Sequence, residues 1–265
     1  MMIPSDFRAV MHRLNIEDYQ YFDSVGSTNQ VAIEWLEDSA PDFAIVFADH
    51  QSNGRGRFDR QWVTQPKSAI ALSIIIRPTH EEQQKLSFFS PLAAVALAEV
   101  LENSWQITAE IKWPNDVLIQ KKKTSGILTE AIWKGDQLAG IVVGIGINVL
   151  ASSIPPQDTL NFPATYLQAH TQANIDRFAL LEQFLTSFSQ WRPFIHSEDF
   201  LNYWTNRLAF QGEKVYIKQK DGNIQLAGTL KGINKHGDLE IVSDDNLVHS
   251  VSAGDVHLRP VEPEN

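Results

Sequence analysis

Lys112 and Lys123 stand at the two ends of a short strand–turn–strand unit. It reads Lys112-Trp113-Pro114-Asn115-Asp116 and then Lys123-Thr124-Ser125-Gly126. Two cations beside an Asn, an Asp and a Gly suit an anionic ligand with a polar head better than they suit a core. Pro114 and the Asn-Asp pair after it end the strand that carries Lys112. The chain re-enters a strand at Val117 to Ile119, turns through Gln120 to Lys122, and opens the next strand at Lys123, so both lysines can face one cavity. Lys121 and Lys122 read as solvated hairpin charge. Lys112, between Ile111 and Trp113, holds a position where a decorative charge is less expected.

Two further elements carry chemistry. Gly54-Arg55-Gly56-Arg57 follows a buried strand and continues through Phe58-Asp59-Arg60-Gln61-Trp62. Glycines let the backbone approach a ligand and aim its amides, and arginines fork onto carboxylate or phosphate. This is not a dinucleotide fingerprint, because Asp59 stands where the third glycine would, and the chain has no Walker A sequence. In Gly144-Ile145-Gly146-Ile147-Asn148, two glycines leave one face of an apolar strand bare. A flat ring could lie on that face; a bulge or close helix packing explains the pattern equally well. Asn148 adds a donor and an acceptor that suit an adenine edge or a ureido group. Ser27, Thr28 and Asn29 are N-cap types before a helix, so a plain cap and a set of polar contacts both remain open.

Composition narrows the partners. The 265 residues carry a net charge of −10 without cysteine, which fits a reducing cytoplasm and excludes thiolate chemistry. Nucleic-acid binding calls for a basic footprint; here positive charge gathers locally at Arg55, Arg57, Arg60, Lys112 and Lys121 to Lys123. A basic pocket in an acidic globule reads as a phosphate or carboxylate site. The histidines show no metal-ligand spacing. The apolar runs Ala69 to Ile76 and Ile141 to Val149 are strand-sized, so no membrane span is expected, and the N-terminus lacks a signal-peptide pattern.

Patterning predicts strands at Ile16 to Phe22, Asp42 to Ala48, Ser68 to Ile76, Ile107 to Lys112, Val117 to Ile119, Thr124 to Trp133 and Gln137 to Val149. Helices are expected at Gln30 to Leu36, Leu86 to Leu101, Phe162 to Ala169, Arg177 to Gln190 and Ser197 to Arg207. Short turns between consecutive strands imply an antiparallel or mixed sheet with flanking helices, an α+β domain over residues 1–211. From Gly212 the texture becomes short strands with turns at Asp221-Gly222, His236-Gly237 and Asp244-Asp245. Residues 212–265 therefore read as a small barrel-like domain with a frayed tail from Val261.

Taken in order, Ser27-Thr28-Asn29, Gln51, the Gly-Arg-Gly-Arg loop, Trp62, Lys112 to Asp116, Lys123 with Gly126, and Gly144-x-Gly146-x-Asn148 resemble the biotin protein ligases over about Ser24 to Pro260. The resemblance implies a biotinyl/lipoyl-ligase-like catalytic domain with a small SH3-like C-terminal barrel. It implies that biotin and ATP form biotinyl-5′-AMP, with Mg²⁺ present, and that a lysine of the biotin carboxyl carrier protein then takes the biotin. By the same resemblance Lys123 bridges carboxylate and α-phosphate, with Arg57 and Lys112 in support. The biotin contacts are Ser27, Thr28, Asn29, Gln51, Gly54, Arg55, Gly56, Gly126 and Gly144. The nucleotide side is Arg57, Arg60, Trp62, Asn115, Asp116 and Asn148, with Asp116 a contact to Mg²⁺ or water.

The chain departs from the family at Phe58-Asp59, where the loop commonly continues Arg-Gly. Only about twenty-five residues precede Ser27, and with the acidic net charge this leads us to expect no DNA-binding repressor activity. Two alternatives are a lipoate or octanoate ligase or transferase of the same fold, and a non-catalytic biotin-binding module. A monomer and a homodimer joined through a sheet edge are both open.

Overall fold

The computed structural model describes residues 3–58, 60–156, 159–160, 162–218, 224–252 and 257–260. Two sheets organise them. The larger has seven strands: β1 (Tyr19–Phe22), β2 (Ile45–Ala48), β3 (Ala69–Ile76), β4 (Glu110–Lys112), β5 (Asp116–Ile119), β6 (Lys122–Lys134) and β7 (Gln137–Asn148). Its spatial order is β1-β2-β3-β7-β6-β5-β4. Only β1 and β2 run parallel; every other neighbouring pair is antiparallel, so the sheet is mixed.

Alternation along β3 assigns the faces. Ile70, Leu72, Ile74 and Ile76 enter the main core, where they meet α1 (Ser5–Arg13), α3 (Phe89–Trp105) and α4 (Arg177–Trp191). Ala71, Ser73 and Ile75 look the other way, toward α2 (Thr28–Glu37), and Ile75 joins Ala32, Leu36 and Val142 in a smaller cluster there. This second face is only partly covered by α2, and the bare remainder becomes the site.

The stretch Glu82–Trp105, a 3-10 segment running into α3, is long and apolar enough by composition to cross a membrane, contrary to the sequence reading. Its apolar window is 67% buried, because α3 fills the centre of the core. Burial on all sides, rather than lipid, accounts for its hydropathy.

A second correction concerns Phe162 to Ala169. No α-helix forms there; a 3-10 turn spans Leu167–His170. Residues around Ala164 run extended instead. Lys123 N–H donates to Pro163 O at 2.8 Å, and Thr165 N–H donates to Lys123 O at 2.8 Å. Helix α1 was not expected at all; it begins on Pro4 without a side-chain cap, so the usual start signal is missing.

After α5 (Glu198–Thr205), the smaller sheet comprises β8 (Lys214–Lys218), β9 (Ile224–Ile233), β10 (Leu239–Val242), β11 (Val248–Val251) and β12 (His257–Pro260). All its pairs are antiparallel, in the order β11-β10-β9-β8-β12, as expected of an SH3-like module. The turn expected at Asp221-Gly222 and the tail from Val261 lie outside the described residues. The turn at His236-Gly237 meets the segment between β4 and β5: Trp113 Nε1–H donates to Gly237 O at 3.1 Å.

Candidate active site

The bare patch follows from register. Ala71 of β3, Gly146 of β7 and Gly126 of β6 lie side by side across three strands, and Ser73, Gly144 and Leu128 form the next row. Two side chains settle on this floor. A Cβ on Gly144 would stand 2.0 Å from Asn29 Oδ1, and one on Gly146 would stand 2.2 Å from Cε2 of Trp62. The alternating glycines therefore serve close packing by the amide of α2 and the indole of the Gly-Arg loop. The indole N–H of Trp62 is buried without an acceptor.

Asn29 is held on every side. Its Nδ2 donates to Leu128 O at 3.2 Å and to Glu130 Oε2 at 2.8 Å, and Ser73 Oγ–H donates to its Oδ1 at 2.6 Å. Ser73 also lies 2.8 Å from Thr28 Oγ1. Thr28 N–H and Oγ1–H both donate to Gln51 Oε1, at 2.7 and 3.0 Å. Ser27 occupies the N-cap position of α2, yet its side chain makes no capping bond.

The exit of β2 is anchored just before Gln51. Asp49, 3% exposed, accepts from Tyr21 Oη–H at 2.6 Å and from Arg177 Nη2–H at 2.8 Å. Burial and the Asp49 carboxylate both push the Tyr21 phenol well above its ordinary pKa, so it stays a donor. Gly54 has to be glycine because a Cβ there would meet Trp62 O at 2.3 Å.

The lysine pair converges on one carboxylate. Lys123 Nζ is 2.6 Å from Asp116 Oδ1, and Lys112 Nζ is 4.0 Å from Asp116 Oδ2. Lys112, 5% exposed, also lies over the Phe162 ring at 4.2 Å. Gln120 and Lys121 both take positive φ, 50° and 60°, in the two-residue turn that sends β5 into β6. Lys121 is instead an outward charge paired with Glu110 and Glu213.

Two cavities meet here. A chamber of ≈380 Å³ is lined by Arg60, Lys112, Asp116, Asn148 and Phe162 among others. A smaller one of ≈50 Å³ is lined by Ser27, Thr28, Asn29, Gln51, Gly126 and Gly144 among others. Gly56, Arg57, Trp62, Asn115 and Lys123 belong to both linings. Arg57 reaches Asn115 Oδ1 at 3.3 Å and lies over the Phe58 ring at 4.9 Å. Asn148 Nδ2 donates to Thr165 O at 3.2 Å, which leaves its Oδ1 as the atom to meet a ligand donor. Arg55 turns to Glu130 and Gln30. Asp59 lies outside the described residues.

Three residues at or beneath the site were missed by sequence reasoning. Ser73 was signalled only as the one polar residue in a fully buried strand. Glu130 shares the period-two face of Gly126 and Leu128, a signal that was available. Phe162 was read as part of a helix.

A family model described as the Biotin/lipoate A/B protein ligase family matches residues 21–148. The bifunctional ligase/repressor BirA of Bacillus spizizenii is 39% identical over 170 residues, 64% of this chain and 52% of that protein. The chain thus spans about half the length of that relative. The biotin–[acetyl-CoA-carboxylase] ligase of Paracoccus denitrificans is 32% identical over 224 residues, 80% of this chain and 89% of that one. The solved biotin protein ligase of Aquifex aeolicus in complex with biotin and ATP superposes with a TM-score of 0.80 at 27% identity, covering 92% of this chain and 100% of that chain.

Proposed function

Since the chain belongs to the biotin/lipoate A/B protein ligase family, we propose that it is an ATP-dependent biotin ligase that forms biotinyl-5′-AMP and passes the biotinyl group to a lysine of a carrier protein. The observation that carries this reading is the shared wall. Lys123, Arg57, Asn115 and Trp62 line both a small polar cavity and a larger one, at the place where the two join. A reaction that couples two anions needs its cations at such a junction.

The head group fits the small cavity, whose Ser27, Thr28, Asn29 and Gln51 supply the polar partners a ureido ring requires; Arg55, Gly56, Gly126 and Gly144 complete its walls, while Gly54 lines the outer cleft. The Trp62 indole, lying on Gly146, forms part of the wall between this cavity and the larger one. Adenine fits the larger chamber, with the Asn148 Oδ1 for its amino group and Phe162 for its face; Arg60 and Asn115 lie toward the phosphates.

In the first step a biotin carboxylate oxygen bonds to the α-phosphorus as the bond to the bridging oxygen breaks, and pyrophosphate leaves with that electron pair. Lys123 neutralises both approaching anions and leaves Asp116 to do so, while Lys112 keeps that carboxylate compensated. In the second step a neutral lysine amine attacks the acyl carbon, the acyl C–O bond breaks, AMP departs and the amine's proton is lost to solvent. Arg57, on the loop, keeps water from the mixed anhydride meanwhile.

Among the described residues no group of His, Asp or Glu forms a metal cluster. Asp116 is the acidic residue in the described lining of the large chamber. Mg²⁺ therefore fits as an ion brought on the phosphates of ATP, with Asp116 as its protein contact.

We infer the acceptor to be the exposed lysine of a biotin carboxyl carrier protein in the cytoplasm, and the net charge of −10 argues against a DNA partner. Residues 1–211 and 212–265 are our division into catalytic and accessory parts. The test is exchange of labelled pyrophosphate into ATP. Exchange that requires biotin supports the reading; exchange with octanoate or lipoate in its place replaces it with the lipoyl reading, and binding of biotin without exchange replaces it with a non-catalytic one.

A further inference from the structure

Glu130 has no part in the chemistry above, yet both of its oxygens are taken by residues of the site. Oε1 pairs with Nη2 of Arg55, and Oε2 accepts from Asn29 Nδ2 at 2.8 Å. Its side chain is 23% exposed and lines the outer cleft, behind the wall of a pocket whose proposed ligand is itself a carboxylate. A negative charge there works against ligand affinity unless it does something else.

Two observations point to what it does. Arg55 belongs both to the small head-group cavity and to an open cleft of ≈430 Å³ on the outer side of the loop, and Glu130 lines that cleft. The Arg55–Glu130 pair is thus a piece of the wall between head-group pocket and solvent. At its other oxygen, Glu130 starts a relay of contacts: Asn29 Nδ2 donates to it, Ser73 Oγ–H donates to Asn29 Oδ1, Thr28 Oγ1 lies 2.8 Å from Ser73, and Thr28 N–H donates to Gln51 Oε1. An amide flipped at Asn29 would present N–H groups to Ser73 and strand the Leu128 carbonyl. The carboxylate forbids that flip, since it can only accept.

We propose that Glu130 is a positioning residue that fastens the Gly54–Trp62 loop and fixes the head-group pocket with the same carboxylate. Closing the loop and presenting the Gln51 end of the relay become one event. Arg55 acts in this arrangement as the bolt on the loop, while Arg57 meets the nucleotide side.

The test separates the two oxygens. Glu130→Gln keeps an acceptor for Asn29 and loses the charge that holds Arg55; Glu130→Ala loses both. One arm needs no substrate. The loop offers trypsin Arg55, Arg57 and Arg60, and we expect native-state nicking there to be about two- to fivefold faster in both variants, from the loss of one partly exposed ion pair. The second arm rests on the ligase reading. In Glu130→Gln we expect the KM for biotin to stay within about twofold while bound adenylate escapes faster, and in Glu130→Ala the KM for biotin to rise about tenfold as well.

Unchanged nicking in both variants overturns the bolt. Equal effects of Gln and Ala on biotin KM overturn the relay, because a merely structural carboxylate would not split them. Wild-type protein that shows no biotin-dependent exchange sinks the ligase reading alone and leaves the proteolysis result standing. Melting curves guard the comparison, and the near-isosteric Gln variant keeps it decisive if the Ala variant fails to fold.

Discussion

Gly144→Ala puts the packing of the site floor to a quantitative test. The new methyl would lie 2.0 Å from Asn29 Oδ1, 2.7 Å from Cγ and 2.8 Å from Nδ2. Ordinary contact needs about 3.5 Å, so the amide must retreat by roughly 1.5 Å. It cannot do so and keep its bonds to Ser73, Leu128 O and Glu130 at 2.6, 3.2 and 2.8 Å. Three bonds, one buried and two partly buried, at about 1 kcal/mol each, one of them to a carboxylate, predict a loss of about 3–4 kcal/mol, which corresponds to a melting temperature lower by about 6–16 °C. Asn29→Ala alone removes the same bonds, at about 3–4 kcal/mol. In the double variant the new methyl on Gly144 meets no amide, and the loss should stay near about 3–4 kcal/mol, a coupling of about 3–4 kcal/mol. Thermal unfolding of the four proteins gives the cycle directly. A Gly144→Ala protein that melts within about 2 °C of wild type refutes the packing argument, and so do losses that simply add.

Lys123→Ala should lower biotin-dependent pyrophosphate exchange by at least about a hundredfold with the melting temperature preserved; normal exchange would remove Lys123 from the junction. Arg57→Gly should shorten the lifetime of the bound adenylate, measured by chase with unlabelled substrate, and an unchanged lifetime would count against a water-excluding loop. Asn148→Ala should raise the KM for ATP about tenfold and leave that for biotin alone, whereas equal effects on both would displace adenine from the large chamber.

Glu82 gives a pH dependence. Burial raises its carboxyl pKa, but hydrogen bonds from Arg192 and the Thr79 amide outweigh burial, so the group sits below its ordinary 4.5. A depressed folded-state pKa means stability that is present above the unfolded value and lost as pH falls through the folded one. The melting gap between wild type and Glu82→Gln should therefore close on titration from about pH 7 to about pH 3, and a gap that widens would reverse the assignment.

The lysine unit was legible because its chemistry lies within three consecutive strands joined by short turns. Proline, Asn-Asp and the turn after Ile119 set the strands, and two strands bring Lys112 and Lys123 to Asp116. The glycines of β7 announced a bare face, but period-two alternation says which face is bare and not what covers it. Asn29 and Trp62 arrive from distant segments, placed by a register that no local pattern encodes. Ser73 and Glu130 escaped for the same reason, since each matters through partners dozens of residues away. The helix expected at Phe162 gave way to pairing with Lys123, a case of tertiary context overriding propensity. That pairing pins the backbone of Lys123 from a second side.

The contact between Trp113 and Gly237 has a consequence for how the molecule comes apart. Trp113 is 2% exposed, and its indole N–H finds its acceptor in a turn of the smaller sheet. A Cβ at Gly237 would stand 2.8 Å from Phe88, so the turn is seated in the aromatic floor beneath α3. Cutting the chain ahead of β8 would strand a buried donor in the middle of the Lys112–Asp116 segment and uncover Phe88 and Trp204. The smaller sheet is therefore no detachable appendage. The two sheets should melt in a single cooperative transition, and a chain cut ahead of β8 would lose order first at the turn that carries Trp113.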